Sequence, residues 1–499
     1  MVCRLVSKLA LLTLSLLALC GFSSKAAANG RFPRAERLIE HRDDPNRLVL
    51  SATYGLLVTS DRGRNWYYIC EKAFSMQDNY VGDPLFAWTA DDTMLTGVQA
   101  SLDLSHDQGC SWSMAFGGFA GQIATDYALG GKDGSVVVLL VSSLDDGGLT
   151  HRLSESTDNA RTWHAIGDPL PVALAYTVDV DSNDATHIFA TGVDGNNQGV
   201  FLVSTTHGSA WSSYSIPNTT ADEPPYIALV NPNDANKIYL RTDAWPEIDG
   251  NQVGNDAFLY SSDGGKTWQE EFRVQGKLLG FALSPTDDTV LLGYGDPKRE
   301  PFVVDPAVLG IYSSPTSSFQ FAKIYDGSVT CLTWNATGLY ACTSQVEQGY
   351  AMGFAASASA VAANGAAAFT PLLHMSDVKA PLGCCTGSTT LTCGALWPTS
   401  CAIFGTCPDA GVASVSAPAC ASDANGGSGA PEPSPDAGVA SPDAPASADV
   451  ASADAARPRA GSTACACRVS GAQDRGRLTP FAVYLLCLIR FRKDRRRVC

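Results

Sequence analysis

Ser261-Ser262-Asp263-Gly264-Gly265-Lys266-Thr267-Trp268 is the stretch on which the reading of this 499-residue chain turns. It has the form Ser/Thr-x-Asp-x-Gly-x-x-Trp, and it recurs. Thr59-Ser60-Asp61-Arg62-Gly63-Arg64-Asn65-Trp66 and Ser105-His106-Asp107-Gln108-Gly109-Cys110-Ser111-Trp112 match it in full. Ser156-Thr157-Asp158-Asn159-Ala160-Arg161-Thr162-Trp163 carries Ala for Gly, and Ser204-Thr205-Thr206-His207-Gly208-Ser209-Ala210-Trp211 carries Thr for Asp. Worn copies stand at Ser313–Phe319 and Asn364–Phe369. The Asp-equivalent positions 61, 107, 158, 206, 263, 315 and 364 are 46 to 57 residues apart, so one structural unit is repeated.

A second element runs in phase with the first. Asp44-Pro45-Asn46, Asn183-Asp184-Ala185, Asn233-Asp234-Ala235 and Ser284-Pro285-Thr286 are polar turns, each leading into an apolar or β-branched run such as Thr289-Val290-Leu291-Leu292. Each unit therefore reads as inner strand, polar turn, second strand, loop, third strand, box turn and outer strand. In the fifth unit these strands are expected at Tyr226–Val230, Lys237–Arg241, Ala257–Ser261 and Trp268–Val274. A four-stranded sheet of this kind has two apolar faces that only its neighbours can cover. The expected fold is all-β: a seven-bladed β-propeller over residues 29–375. It is followed by a Cys-rich extension at 376–407, a disordered stalk at 408–463 and a short hydrophobic helix inside a C-terminal tail at 464–499.

The repeats resemble the Asp-box (BNR-repeat) propellers of the sialidase-like superfamily, which include sialidases, xyloglucanase-type glycosidases, sortilin ectodomains and photosystem II assembly factors. In the box, Ser/Thr and Asp side chains tie a tight turn, Gly supplies a positive φ, and Trp opens the outer strand. The structural residues are Asp61, Gly63 and Trp66; Asp107, Gly109 and Trp112; Asp158 and Trp163; Gly208 and Trp211; and Asp263, Gly265 and Trp268. Each box lies on its own blade, so these carboxylates do not converge on a metal. No metal and no cofactor is expected.

The box implies fold far more than function. A sialidase-like site would need an arginine triad, a Tyr–Glu nucleophile pair and an Asp acid/base. Its arginine motif is only echoed in scrambled form by Arg31-Phe32-Pro33-Arg34. No catalytic residue is assigned. Asp179 and Asp181 could serve a pair of opposed carboxylates, as glycoside hydrolysis requires, or could be turn acids on the box face. Topology puts box turns and polar turns on one face, and second-to-third loops on the other. The longest such loop runs from Thr242 to Asp256; Asp243, Trp245, Glu247 and Asp249 on it, with Tyr80 on Glu71–Asp83, form the candidate ligand surface. The function expected is an exported, surface-anchored, non-catalytic module binding a glycan or protein ligand through that face. The rivals are a divergent glycoside hydrolase and a structural display element.

Charge and cysteines supply the address. The net charge is −16, but residues 468–499 carry +7 and residues 1–28 carry +3, which leaves −26 between them. So acidic a body argues against a nucleic-acid partner. Residues 1–28 read as a signal peptide: Arg4 and Lys8, the apolar run Leu9–Cys20, then Ala26-Ala27-Ala28. At the other end Cys465 and Cys467 precede an apolar stretch, Leu478 to Ile489, and a cluster of arginines. This resembles the myxobacterial C-terminal sorting tail (MYXO-CTERM type), which implies a sorting or processing enzyme and anchoring in the envelope. A plain single-span anchor is the alternative. Residues 408–463 are rich in Ala, Pro, Ser, Asp and Gly and read as a stalk. The sixteen cysteines favour disulfides in an exported, monomeric protein. If Ala336-Thr337 is a hairpin turn, Cys331 faces Cys342 and a bridge is expected. Cys70 and Cys110, one repeat apart, are expected to join the first two blades. The pairing of Cys384, Cys385, Cys393, Cys401, Cys407 and Cys420 stays open, and they show no zinc-ligand spacing.

Overall fold

The computed structural model describes residues 34–74, 85–98, 101–115, 122–131, 134–145, 148–244, 254–296, 304–343, 355–358, 368–385 and 387–407. The expected signal peptide, stalk, sorting tail and C-terminal hydrophobic helix lie outside them. Among the described residues no helix is long and apolar enough to cross a membrane.

The strands form successive antiparallel meanders, each strand of a sheet pairing with the next along the chain; many of the hairpins close on short polar turns, while the connections across 243–256, 296–309 and 344–354 are longer. The first comprises Ala35–Glu40, Leu48–Ala52, Gly55–Thr59 and Trp66–Cys70 (β1–β4). The second comprises Leu85–Trp88, Met94–Val98, Ser101–Ser105 and Ser113–Met114 (β5–β8), and the third Gln122–Gly130, Val136–Asp145, Gly148–Ser156 and His164–Ile166 (β9–β12). The fourth is Leu174–Asp181, Asp184–Val193, Gly199–Ser204 and Ser212–Ser215 (β13–β16). The fifth is Pro225–Val230, Ile238–Thr242, Ala257–Ser261 and Gln269–Arg273 (β17–β20), within a residue of the expected strands at most ends. Lys277–Leu283, Thr289–Gly295, Gly310–Pro315 and Ala322–Asp326 (β21–β24) follow, then Val329–Asn335, Gly338–Thr343, Ala355–Ala358 and Thr370–Leu373 (β25–β28).

The expected ring of seven like blades needs correction. Six of these sheets are four-stranded blades; the sheet of β1–β4 is a different object, extended to five strands by Val378–Pro381 (β29) in parallel with β4. The Cys-rich residues therefore do not trail behind the propeller. They supply this fifth strand and a helix, Thr389–Phe404 (α1), whose Trp397, Cys401 and Phe404 are buried in the core of the first sheet. The reason is covalent. Cys70 is bonded to Cys393 and Cys110 to Cys384, so the expected Cys70–Cys110 bridge is also corrected. Cys401 is bonded to Cys407, and Cys385 is in a disulfide as well. Cys331 and Cys342 are directly opposed in the β25–β26 hairpin and bonded to each other.

The apolar core lies between sheets, because each strand alternates its side chains between two covered faces. Val49, Ile69, Phe86 and Met94 join the first sheet to the second; Val138, Leu153, Val178 and Ile188 join the third to the fourth. Phe201, Trp268 and Leu240 fill the next gap, and Tyr239, Phe258 and Tyr294 the one after. Leu38, Cys331, Tyr340 and Cys342 close the last sheet on the first.

The repeated turns are built alike. The Ser/Thr hydroxyl accepts the N–H four residues on: Gly63 to Thr59 (3.1 Å), Gly109 to Ser105 (2.8 Å), Ala160 to Ser156 (2.9 Å), Gly208 to Ser204 (2.9 Å) and Gly265 to Ser261 (2.9 Å). The carboxylates of Asp61, Asp107, Asp158 and Asp263 accept the N–H of the residue before each Trp. In the fourth copy the Thr206 hydroxyl does this, donated to by Ala210 N–H at 2.9 Å. At Asp158 and Asp263 burial, the largest single influence, is outweighed by these hydrogen bonds taken together, and the carboxyls are held down at about 2. Gly265 needs its missing side chain twice over: its φ is +82°, and a Cβ would sit 2.2 Å from the Phe201 ring. Ala160 adopts φ +66° in the copy that lacks the glycine. The worn copy at Ser313–Phe319 keeps a turn without any carboxylate, closed by Ser318 and Phe319 N–H on Pro315 O. Of the copy at Asn364–Phe369, residues 364–367 lie outside the described residues.

Candidate functional site

The first strands of the sheets, β1, β5, β9, β13, β17, β21 and β25, are the inner ones. Six of them are interrupted by a bulge; β5 alone pairs without a shift. The residues bulged out of the ladder are Glu36, Thr125, Tyr176, Ala228, Leu279 and Thr330. A bulge bends the strand and re-aims the side chain it carries. No turn residue marks these positions, so periodicity could not find them.

At Tyr176 the bulge has a chemical consequence. Its hydroxyl is buried without a hydrogen-bond partner among the described residues. Its ring lies 5.4 Å from that of Tyr226, the second residue of β17. Over Tyr226 lies Arg241, the guanidinium carbon 4.6 Å from the ring centroid. Arg241 faces Tyr226 across the β17–β18 pair, and it makes no hydrogen bond to a described residue. Burial and the neighbouring carboxylates, Asp222 and Asp243, push the Tyr176 hydroxyl up to about 12, so it is a donor at all ordinary pH.

Beside this pair stands an ion triad. Lys277, first residue of β21, reaches Asp243 Oδ1 at 2.5 Å and Asp256 Oδ1 at 3.0 Å, and donates to the Ala244 carbonyl. Asp256 is wholly buried and accepts Ala244 N–H at 2.8 Å and Leu278 N–H at 2.9 Å. Burial nevertheless pushes its carboxyl up to about 6, against the pull of Lys277. All these groups sit where inner strands begin and second strands end, which is the face opposite the box turns. Of the residues picked from sequence, Asp243 belongs here; Tyr80, Trp245, Glu247 and Asp249 lie outside the described residues. Tyr176, Tyr226, Arg241, Asp256 and Lys277 were missed, since each sits inside a strand or at its edge and looks like ordinary sheet.

Deeper along the axis is a second polar group. Asp126 on β9 accepts Val178 N–H of the next inner strand at 3.0 Å, and Asp179 on β13 accepts Val230 N–H of the one after at 3.1 Å. Both carboxyls thus cap the unpaired edge of a neighbouring sheet. Arg37 on β1 donates to Tyr127 Oη at 2.8 Å, and Tyr127 in turn donates to the Phe86 carbonyl of β5. Burial pushes Asp126 up to about 7 and Asp179 to about 6, partly offset by backbone N–H groups and Arg37. Asp179 is therefore no turn acid of the box face. Asp181 is: it receives Asn183 N–H at 2.8 Å and stands 3.5 Å from His187. Asp179 and Asp181 do not act as a pair. Among the described residues no group of three or more His, Cys, Asp or Glu is arranged to hold a metal ion.

The raised Asp126 carboxyl makes stability depend on pH. Below about pH 4 it is protonated in both folded and unfolded chains; as pH climbs toward 7 the unfolded chain ionises first and the fold loses stability. We expect Asp126→Asn, which keeps an acceptor for Val178 N–H, to remove about 1–3 kcal/mol of the loss between pH 4 and 8. Thermal melting across that range checks this, and parallel slopes for variant and wild type would contradict it.

No protein-family model matches the sequence, and no curated protein is significantly similar to it. Solved structures are similar in fold. One is an ancestral GH74 enzyme, 16% identical over 69% of this chain and 47% of its own, with a TM-score of 0.47. Another is YCF48 bound to D1 peptide, 15% identical over 52% of this chain and 74% of its own, with a TM-score of 0.35. A third is the Hadza microbial sialidase Hz136, 13% identical over 59% of this chain and 70% of its own, also at 0.35. The chain spans less than half the length of that GH74 enzyme. At such identities and TM-scores these neighbours assign no chemistry; the chain's own sheets define it as an all-β propeller with a cluster of polar side chains at its loop face.

Proposed function

We propose that the chain is an exported, surface-anchored propeller that binds a glycan or protein ligand, without catalysis, at the loop-face mouth formed by β13, β17 and β21. The observation that carries this reading is the unmet hydrogen-bonding capacity there: the Tyr176 hydroxyl and the Arg241 guanidinium are donors with no acceptor among the described residues, set around an aromatic pair. A buried hydroxyl without a partner, such as that of Tyr176, is costly, and an acceptor-bearing ligand would relieve that cost. Asp243 and Asp256, the carboxylates at this end of the inner strands, are both engaged by Lys277. The disulfides suit an oxidising compartment, in keeping with a signal peptide, and the tail would supply the anchor. The repeated turns are Asp-boxes on this reading.

Retention of the full chain on a panel of glycans, cell-wall matrices and surface proteins tests it. Tyr176→Phe and Arg241→Gln are each expected to weaken binding roughly tenfold, the worth of one hydrogen bond to a charged or buried group. Binding that both variants leave unchanged would remove this mouth as the site. A glycoside hydrolase is favoured by one observation, the raised acids Asp126 and Asp179 on adjacent inner strands. Hydrolysis of any glycan that disappears in Asp126→Asn would replace the non-catalytic reading with that one.

A further inference from the structure

The chain returns to the start of the ring along its outside. From the end of β28 a short turn, Met375–Asp377, leads into β29, and Leu382 N–H carries the pairing on to the Tyr68 carbonyl at 2.8 Å. Cys384 is then bonded to Cys110 in the box turn of the second sheet. Around that bond Thr389 donates its hydroxyl to Gly109 O at 2.6 Å and its N–H to Cys110 O at 3.1 Å. Gly387 passes so close that a Cβ would sit 2.2 Å from Cys110 O. Finally α1 lays Phe404 against Tyr54 and Tyr68, at ring distances of 5.3 and 5.1 Å, and Cys393 is bonded to Cys70 at the end of β4.

This strap spans the one join of the ring where the two neighbouring sheets come from opposite ends of the chain. The first four strands use residues 35–70 and the last four residues 329–373. Between them the seam is side-chain packing plus a few hydrogen bonds, such as Thr333 Oγ1 to Leu38 O at 2.8 Å and Tyr340 Oη to Glu40 Oε2 at 2.9 Å. Among the described residues, apart from β29 on β4, no strand of one end pairs with a sheet of the other.

We propose that residues 375–407 are a redox-controlled clasp, and that the Cys70–Cys393 and Cys110–Cys384 bonds decide whether the seam between the last and first sheets stays shut. The bonds close loops of 323 and 274 residues, so they restrain separation of the chain ends far more than any local contact does. A dithiol reductant would open both: each disulfide takes up two electrons and two protons and becomes two thiols, while the reductant becomes a disulfide. The strap would then be held by a short parallel strand, one helix face and the Thr389 hydrogen bonds, with no covalent tie, and sub-global opening would start at the seam.

Hydrogen exchange on the full chain tests this, before and after dithiothreitol, and in the variant Cys70→Ser, Cys110→Ser, Cys384→Ser, Cys393→Ser, which keeps the local Cys331–Cys342 bond. We expect amides of β1 and β25–β26 to exchange roughly tenfold faster or more, and those of β13–β19 to change less than about twofold. Acceleration spread evenly round the ring, or none at the seam, would overturn the proposal. Should the variant fail to fold, Cys331→Ser, Cys342→Ser, compared before and after dithiothreitol, gives the same two readings without the local hairpin bond.

Discussion

Lys277→Met is expected to destabilise the fold by about 3–5 kcal/mol at pH 8, because it strands a buried carboxylate. Asp256 is fully enclosed, and its only ion-pair partner among the described residues is Lys277, 3.0 Å away. The methionine keeps the packing volume and removes the charge, so the loss measures the ion pair rather than a cavity. The sign with pH follows from Asp256, whose carboxyl already stands at about 6 with the lysine in place. Without the lysine it rises further. The variant's deficit is then largest at alkaline pH and shrinks as pH falls below about 6, where the folded carboxyl is protonated with or without the lysine. Adding Asp256→Asn should restore part of the loss at pH 8. Chemical denaturation at pH 5 and pH 8 decides the matter: a deficit equal at both, or a double variant no better than the single, would show that the triad carries no burial cost.

Trp66→Ala is expected to cost about 3–5 kcal/mol, the usual loss for emptying a core site of an aromatic. The Trp66 side chain is fully covered and packs with Leu38, Leu48 and Leu373 where the last sheet meets the first. Trp211 occupies the same place in its own repeat, yet it is only partly buried, packed beside the fourth-sheet core. Its replacement by Ala should cost less than half as much. Equal losses would mean that the tryptophans act through the turn and not through the gap between sheets. Urea midpoints of the two variants make the comparison directly.

These two side chains also mark how far the sequence can be read. Trp66 belongs to a motif whose parts all lie within eight residues, so its turn, its place at the start of the outer strand and its partner glycine could be read from spacing alone. The same holds for Cys331 and Cys342, whose facing register follows from a two-residue hairpin turn. Lys277 carries no such mark. It is one lysine at the start of a strand, and it acquires a role only because β18 ends and β19 begins beside it with Asp243 and Asp256. Tyr176 is similar: a strand tyrosine until a bulge turns it toward Tyr226 and leaves its hydroxyl unpartnered.

The cysteines show the same division most sharply. Cys70 and Cys110 are one repeat apart, and proximity in sequence suggested a bond between them. Each instead meets a cysteine some three hundred residues away, because a fifth strand and a helix fold back over the first sheet. By itself the sequence determined the repeating unit, the all-β class and the hydrogen bonding of the turns at Asp61, Asp107, Asp158 and Asp263, since these rest on hydrogen bonds and side-chain alternation within a few residues. Only the tertiary structure decided that the first sheet gains a fifth strand, which thiols pair, and which side chains gather at the mouth, because those depend on parts of the chain that touch only after the ring has closed.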